Sequence, residues 1–225
     1  MKILHISDTH GFHNQIPFSR FEGVDMVIHS GDCSNWRDAA RNQQEVYDFL
    51  EWYMKVPVKY KIYVAGNHDS SIESRMFRKH HFEDRGITYL ENEYTDIEGL
   101  KIFGTPVTPT FGDWSFMKAR DTIDRFWSMI EDPMDIFVVH GPPKGILDLT
   151  YDPFNTLEMC GCRSLGRHIK RLKPTLVCFG HIHNFKDIVN NGILYHNGIT
   201  YSNGASVEDG EFDKGLISYG NIINL

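Results

Sequence analysis

Between residues 2 and 183, a run of four to six mostly apolar or β-branched residues gives way five times to a turn bearing Asp, His or Asn. The five segments are KILHISDTH (2–10), MVIHSGD (26–32), KIYVAGNHD (61–69), DIFVVHG (135–141) and LVCFGHIH (176–183). Runs this short and apolar predict buried strands, and in open α/β sheets ligands collect where strands end at their carboxyl edge. The chain is thereby constrained to a sheet-based α/β fold in which five strand ends deliver polar side chains to one edge.

Glycine precedes the polar residue in Gly31-Asp32, Gly66-Asn67 and Gly180-His181, and follows it in His140-Gly141. A residue without Cβ permits a sharp exit from a strand and a close approach of backbone to an ion or phosphate. Asp8 and His10 are two apart, as are His181 and His183, and on extended backbone such pairs project from one face. Taken singly, Asp-x-His is a common coincidence, Gly-Asp a turn and Gly-Asn-His-Asp a capped turn. Five such elements in order, each closing a strand, point instead to a metal site.

The candidate ligands are Asp8, His10, Asp32, Asn67, His140, His181 and His183. Carboxylate, imidazole and amide donors suit Mn, Fe, Zn, Ni or Co and poorly suit Cu(I). Seven are too many for one tetrahedral ion, whereas a two-metal site, its ions roughly 3.5–4 Å apart, needs a bridging group such as a carboxylate.

The ordered set Asp8-x-His10, Gly31-Asp32, Gly66-Asn67-His68-Asp69, His140-Gly141 and Gly180-His181-x-His183 resembles the calcineurin-like metallophosphoesterase superfamily. Within it, His140-Gly-Pro-Pro-x-Gly145, Asp148, Gly161-Cys162 and Phe179-Gly-His-Ile-His183 resemble the small metallophosphoesterase-domain phosphodiesterases. The resemblance implies a four-layer α/β/β/α sandwich of two mixed sheets flanked by helices. It implies two divalent ions, with Mn expected, held by Asp8, His10, Asp32 and His183 on one side and by Asp32, Asn67, His140 and His181 on the other. Asp32 would bridge them, and a bridging hydroxide would attack phosphorus.

His68 lies outside that ligand set and is expected to hydrogen-bond the phosphate or protonate the leaving oxygen, with Asp69 orienting its ring; the bland alternative is a helix cap. Two dications less Asp8, Asp32 and one hydroxide leave about one positive charge, which suits a singly charged phosphodiester. Asn35 and Arg37, just after Gly31-Asp32, are candidates to contact substrate, with Arg37 as a phosphate clamp. Trp114, Phe111, Tyr151, Phe154 and Asn155 flank the His140 block and are candidates for base stacking or for packing.

The expected activity is hydrolysis of small phosphodiesters such as cyclic nucleotides. A phosphomonoesterase or protein phosphatase is the alternative, but that branch carries two phosphate-binding arginines where this chain reads Gly31-Asp-Cys-Ser-Asn35 and Ala65-Gly-Asn-His-Asp69. A nuclease is a further alternative. So is a noncatalytic metal-binding scaffold, which the intact ligand set disfavours.

The 225 residues, 41% hydrophobic and 13% aromatic, fit one domain spanning 1–225. A formal charge of -7 with no run of five like charges lacks the footprint of a sequence-independent duplex binder, so a small phosphoester is the expected partner and nucleic acid is not. Of the four cysteines, Cys33 and Cys178 read as core residues, and Cys160-Gly-Cys162 as a weak candidate for soft-metal or redox chemistry. The apolar stretches are too short for a membrane span and no signal peptide is evident, so a cytoplasmic setting is expected.

Helices are predicted from a cap at Ser34 or Asn35 to residue 55, then over 72–81, 117–130 and 164–172. Trp36, Ala39, Ala40, Val46, Phe49, Leu50 and Tyr53 form the apolar side of the first. Further strands are predicted over 87–90, 93–97, 100–103, 186–189, 193–195 and 199–202, with a last hairpin over 215–225.

Overall fold

The computed structural model of the protein describes residues 1–209 and 214–225. Its early strands are β1 (Lys2–Ile6), β2 (Met26–His29), β3 (Tyr60–Tyr63), β4 (Thr88–Tyr89), β5 (Glu93–Ile97), β6 (Leu100–Thr105), β7 (Thr108–Pro109) and β8 (Met117–Lys118). There follow β9 (Ile136–Val139), β10 (Leu149–Tyr151), β11 (Leu157–Met159), β12 (Leu176–Phe179), β13 (Gly192–His196), β14 (Ile199–Asn203) and β15 (Asn221–Asn224). The helices are α1 (Ala39–Lys55), α2 (Ser70–Glu73), α3 (Lys79–Glu83), α4 (Ile123–Ser128) and α5 (Arg163–Leu172).

Two mixed sheets carry the fold. The first has the order β15-β1-β2-β3-β4, parallel except for β15. In the second, of order β13-β14-β12-β9-β6-β5, the inner four strands are parallel and the two edges antiparallel. All five strands expected to end in ligands are parallel members of these sheets.

The side-chain period of two divides each central strand between two cores. Ile3, Met26, Ile28, Ile62 and Val64 meet Ile102, Ile136, Val138, Leu176 and Cys178 of the other sheet. The alternate residues Leu4, Ile6, Val27 and Tyr63 pack on Val46, Phe49, Leu50 and Tyr53 of α1. Across the molecule, Phe103, Phe137, Val139, Val177 and Phe179 pack on α4 through Ile123 and Trp127, and on α5 through Leu165 and Ile169. The result is the expected α/β/β/α layering. Each such side chain contributes about 1.5–3 kcal/mol on full burial, which explains why the strands are apolar on both faces.

Several elements differ from expectation. Helix α1 begins at Ala39, capped by the Asp38 carboxylate accepting from Arg41 N–H at 3.0 Å, because Ser34 is bound to Asp69 instead. Trp36, Ala39 and Ala40 are therefore exposed rather than part of its apolar side. The predicted helix over 72–81 is two short ones, α2 and α3, with Arg75 between them at φ 67°. Only the middle of the predicted 117–130 helix is helical, because Met117 and Lys118 pair with Thr108 and Pro109. Residues 186–189 form no strand: Phe185 bridges Ile188 around a left-handed Lys186. The last strand, β15, pairs with β1 and not with a hairpin partner. Among the described residues no helix is long and apolar enough to cross a membrane.

The apolar layers also enclose histidines outside the ligand set. His5, His13 and His29 are buried, and burial pushes His5 and His29 down to about 3 and His13 to about 4, in His13 against the opposing charge of Asp48. Their ordinary value is 6.5, so between these limits the unfolded chain binds the protons and the folded one does not. Stability is then present above about pH 6.5 and lost as pH falls toward 4. We expect the urea midpoint to drop progressively over that window, and His13→Leu to flatten the drop. A midpoint independent of pH across it would contradict neutral burial of these rings.

Candidate metal centre

Each expected ligand sits one to four residues beyond a strand end: Asp8 and His10 after β1, Asp32 after β2, Asn67 after β3, His140 after β9, and His181 and His183 after β12. The fold gathers all seven. The ligand atoms of Asp8, His10 and His183 lie within 4.8 Å of one another, and so do those of Asp32, His140 and His181. Asn67 extends the second group, its Oδ1 lying 2.9 Å from His140 Nε2. His181 joins the groups: its backbone N–H donates to both oxygens of Asp8, at 3.0 and 2.9 Å, while its ring belongs with Asp32.

The backbone under these ligands is unusual. Asp8, His10, Asp32 and His181 have φ of 51°, 43°, 55° and 68°, a left-handed region costing of order 1–3 kcal/mol for a residue with a side chain. Tertiary hydrogen bonds hold them there, from Asp8 N–H to Gly31 O at 2.8 Å and from His10 N–H to Asp32 O at 3.1 Å. The glycines before ligands supply room. A Cβ on Gly66 would lie 2.2 Å from Asp32 Oδ1, and one on Gly180 would lie 1.9 Å from Asp8 Oδ2.

Ring orientations follow from backbone acceptors. His140 Nδ1 lies 2.9 Å from Ser30 O and His10 Nδ1 3.1 Å from Ser34 O, so in each the Nδ1–H donates and Nε2 is the nitrogen that can serve a metal. Ser30 is itself tied across the sheets: its Oγ is 2.9 Å from His5 Nε2, and His5 Nδ1 is 2.7 Å from Ser202 Oγ on β14. His29 meets Thr9 Oγ1 at 3.1 Å. These buried partners carried no signal in the sequence beyond their places on apolar strands.

Charge is compensated within the cluster. Burial opposes ionisation of Asp8, but the hydrogen bond and charge of His183 outweigh it and hold the carboxyl well below the usual range. Burial likewise opposes ionisation of Asp32, and the charges of His140 and His68 reverse the balance. His140, 3.2 Å from Asp32 Oδ2, is raised to about 9 against burial by that carboxylate, and His183 is raised by Asp8. Burial drives His10 and His181 down to about 3. Protons on two imidazoles thus offset two buried carboxylates, and a divalent cation would displace them.

The remaining expected site residues divide. His68 lines the cavity over the ligands, its Nδ1 3.1 Å from Asn35 O, its ring 4.7 Å from His10 and 4.3 Å from Trp114. Asp69 does not orient it. The Asp69 carboxylate is fully buried and accepts from the N–H groups of Asp32, Ser34 and Gly66 and from Tyr63 OH at 2.6–3.1 Å, with further bonds from Ser34 Oγ and Cys33 Sγ. Burial and the charge of Asp32 raise its pKa. It fastens the turns after β2 and β3, and the Asn35 carbonyl takes the role foreseen for it beside His68.

Arg37 is also placed differently from expectation. Its guanidinium lies 3.6 Å over the Trp114 ring and donates to Asp113 O, while the cation lining the cavity is Arg120. Arg120 lies within the stretch 117–130 whose spacing predicts a helix, but precedes α4. Phe111, half exposed and 5.0 Å from His181, and Trp114 both line the roughly 350 Å³ cavity; Tyr151, Phe154 and Asn155 do not. Cys33 and Cys178 are core residues, and all four cysteines are free. Cys160 and Cys162 line the cavity, with burial pushing Cys160 up to about 12, far from a reactive thiolate.

Oxygen and nitrogen donors in two buried groups, each with one carboxylate, fit divalent metal ions. These donors lie at strand ends of two facing sheets, where two such groups meet. The chain belongs to the calcineurin-like phosphoesterase family, whose model matches residues 1–185. It is 28% identical over 213 residues to the human metallophosphoesterase domain-containing protein 1, covering 83% of this chain and 62% of that one. A probable rhamnogalacturonate lyase C of Emericella nidulans is 32% identical over 196 residues, covering 81% of this chain and 17% of that one. The chain thus spans less than two thirds of either relative. A solved structure 16% identical in sequence superposes with a TM-score of 0.63 over 99% of this chain and 97% of its own, which supports the fold.

Removing the Asp69 carboxylate leaves several buried donors unsatisfied at once. We expect Asp69→Ala to cost about 3 kcal/mol or more in urea unfolding and to lower metal content, because Asp32 and Asn67 lose their anchor. Full metal content with unchanged stability would refute this anchoring role.

Proposed function

We propose that the protein is a phosphodiesterase with a dinuclear centre, acting on small singly charged diesters such as cyclic nucleotides. The observation that carries the reading is the pairing of two three-residue groups through His181, whose amide holds Asp8 while its ring lies with Asp32. Asp8, His10, Asp32 and His183 would hold one ion, and Asp32, Asn67, His140 and His181 the other, with Asp32 as the shared carboxylate. Manganese suits this imidazole-rich set better than magnesium, which prefers oxygen donors and retains its waters. When bound, such ions offset phosphate charge and generate hydroxide near neutral pH.

The chain's own residues supply orientation and proton transfer. Asp32 Oδ1 accepts from the His68 N–H at 2.7 Å, so one carboxylate fixes both a ligand position and the backbone of the proposed acid. Because His68 Nδ1 is committed to Asn35 O, Nε2 is the atom free to exchange a proton with the departing oxygen. Trp114 packs against the ring and limits its rotation. Phe111, exposed at the rim, offers a face for a base.

Three measurements test this reading. On aryl substrates with manganese, diester turnover should exceed monoester turnover and fall when magnesium replaces manganese; a dominant monoesterase rate overturns the diester assignment. Asp32→Asn should weaken both ions together in metal analysis, and two ions bound with unchanged affinity would remove Asp32 as the bridge. His68→Ala should keep its metals and lose roughly 10²–10⁴-fold in turnover for basic leaving groups, with a smaller loss for acidic phenols. A loss uniform across leaving groups would make His68 a phosphate ligand instead of an acid.

A further inference from the structure

The motif His140-Gly-Pro-Pro-x-Gly145 with Asp148 and Gly161-Cys162 supplies only one candidate metal ligand, yet its two loops are cross-braced by several hydrogen bonds. Buried Asp148 accepts through Oδ2 from Gly145 N–H at 3.0 Å and Gly161 N–H at 2.9 Å. Cys162 N–H donates to Pro142 O at 2.9 Å, and Lys144 N–H to Cys162 O at 3.1 Å. These bonds brace the loops that line two adjoining cavities. One is the metal-centre cavity; the other, of about 470 Å³, shares Pro109, Arg120, Gly161 and Cys162 with it.

The second cavity is cationic in an acidic protein. Arg120, Lys144, Arg163 and Arg167 line it against Asp121 and Asp124, an excess of two positive charges in a chain of net charge -7. Arg167 and His168 already engage Asp124, at 2.9 and 3.0 Å. Among the described residues, none of the ion pairs involves Arg120, Lys144 or Arg163. Arg120 lines both cavities.

Resting on the phosphoesterase reading above, we propose that this adjoining cavity binds a second, non-reacting phosphate of the substrate through Arg120, Lys144 and Arg163. The favoured substrates are then small diesters that carry an additional phosphate group, bound with the diester at the metal centre and the other phosphate beyond Gly161 and Cys162. The overall negative charge favours a small ligand over a nucleic acid strand, which would bring phosphates to the acidic surface on either side.

Two assays on the manganese-loaded full chain test this. The first compares kcat/KM for a nucleoside 2′,3′-cyclic phosphodiester with and without an additional 5′-phosphate; the second compares calorimetric binding of adenosine 3′,5′-bisphosphate and adenosine monophosphate. We expect the extra phosphate to improve both by about tenfold, as one or two charge-assisted contacts would. The advantage should collapse toward one in Lys144→Ala/Arg163→Ala, whose side chains are exposed and leave the fold intact. No advantage in the parent chain, or one that survives the double substitution, overturns the subsite. A bisphosphate preference in binding with no diester hydrolysis upholds the subsite while overturning the diesterase reading. A single-stranded oligonucleotide binding more tightly than the bisphosphate, with steep salt dependence, overturns the small-molecule assignment.

Discussion

The docking of two sheets face to face is the contact on which the candidate metal centre depends. Asp8, His10, Asp32 and Asn67 follow strands of the first sheet, and His140, His181 and His183 follow strands of the second. Neither sheet alone assembles either ligand group. The apolar contact between Ile3, Met26, Ile28 and Ile62 and the facing Ile136, Val138, Leu176 and Cys178 therefore creates the site as well as the core. The buried chain from His140 through Ser30 and His5 to Ser202 adds a directional bond across the same interface, where slippage of a purely apolar contact would misplace the imidazole.

The centre holds two costs that the surrounding structure offsets. Four ligands take left-handed backbone, and two carboxylates are removed from water. The bonds from Asp8 and His10 amides to Gly31 O and Asp32 O, with Asp69 holding the Asp32 amide, answer the first, and the histidines answer the second by sharing protons with Asp8 and Asp32. Buried polar clusters of this kind are favourable only when nearly every member is satisfied. Asp148 plays a role parallel to Asp69 on the other sheet, drawing together the loops after β9 and before α5.

Much of this was legible in the chain itself, because both sheets are covered on each face. That makes their strands short, apolar and distinct, and any Asp, His or Asn just beyond them stands out. The same logic failed where local and tertiary preferences compete. Ser34 is a good helix cap by type, but Asp69 claims its amide and hydroxyl, so α1 starts four residues past Asn35 at Ala39. Residues 117–118 lie in a stretch with helical spacing, yet a strand partner at Thr108 and Pro109 outweighs it. Arg37 is adjacent in sequence to a ligand turn but spends its charge on the Trp114 ring, and Arg120, remote in sequence, reaches the cavity.

The sequence by itself determined the layered α/β architecture, the seven ligand candidates and the chemistry those donors permit, since strand period and donor type are local properties. Which donors share an ion-sized space, which nitrogen of each ring points inward, what Asp69 is for and which arginine faces the cavity were decided by tertiary structure alone. Those depend on how two sheets and five loops meet across distances of more than a hundred residues, as His140 and Ser30 do, and no pattern confined to neighbouring residues encodes such a meeting.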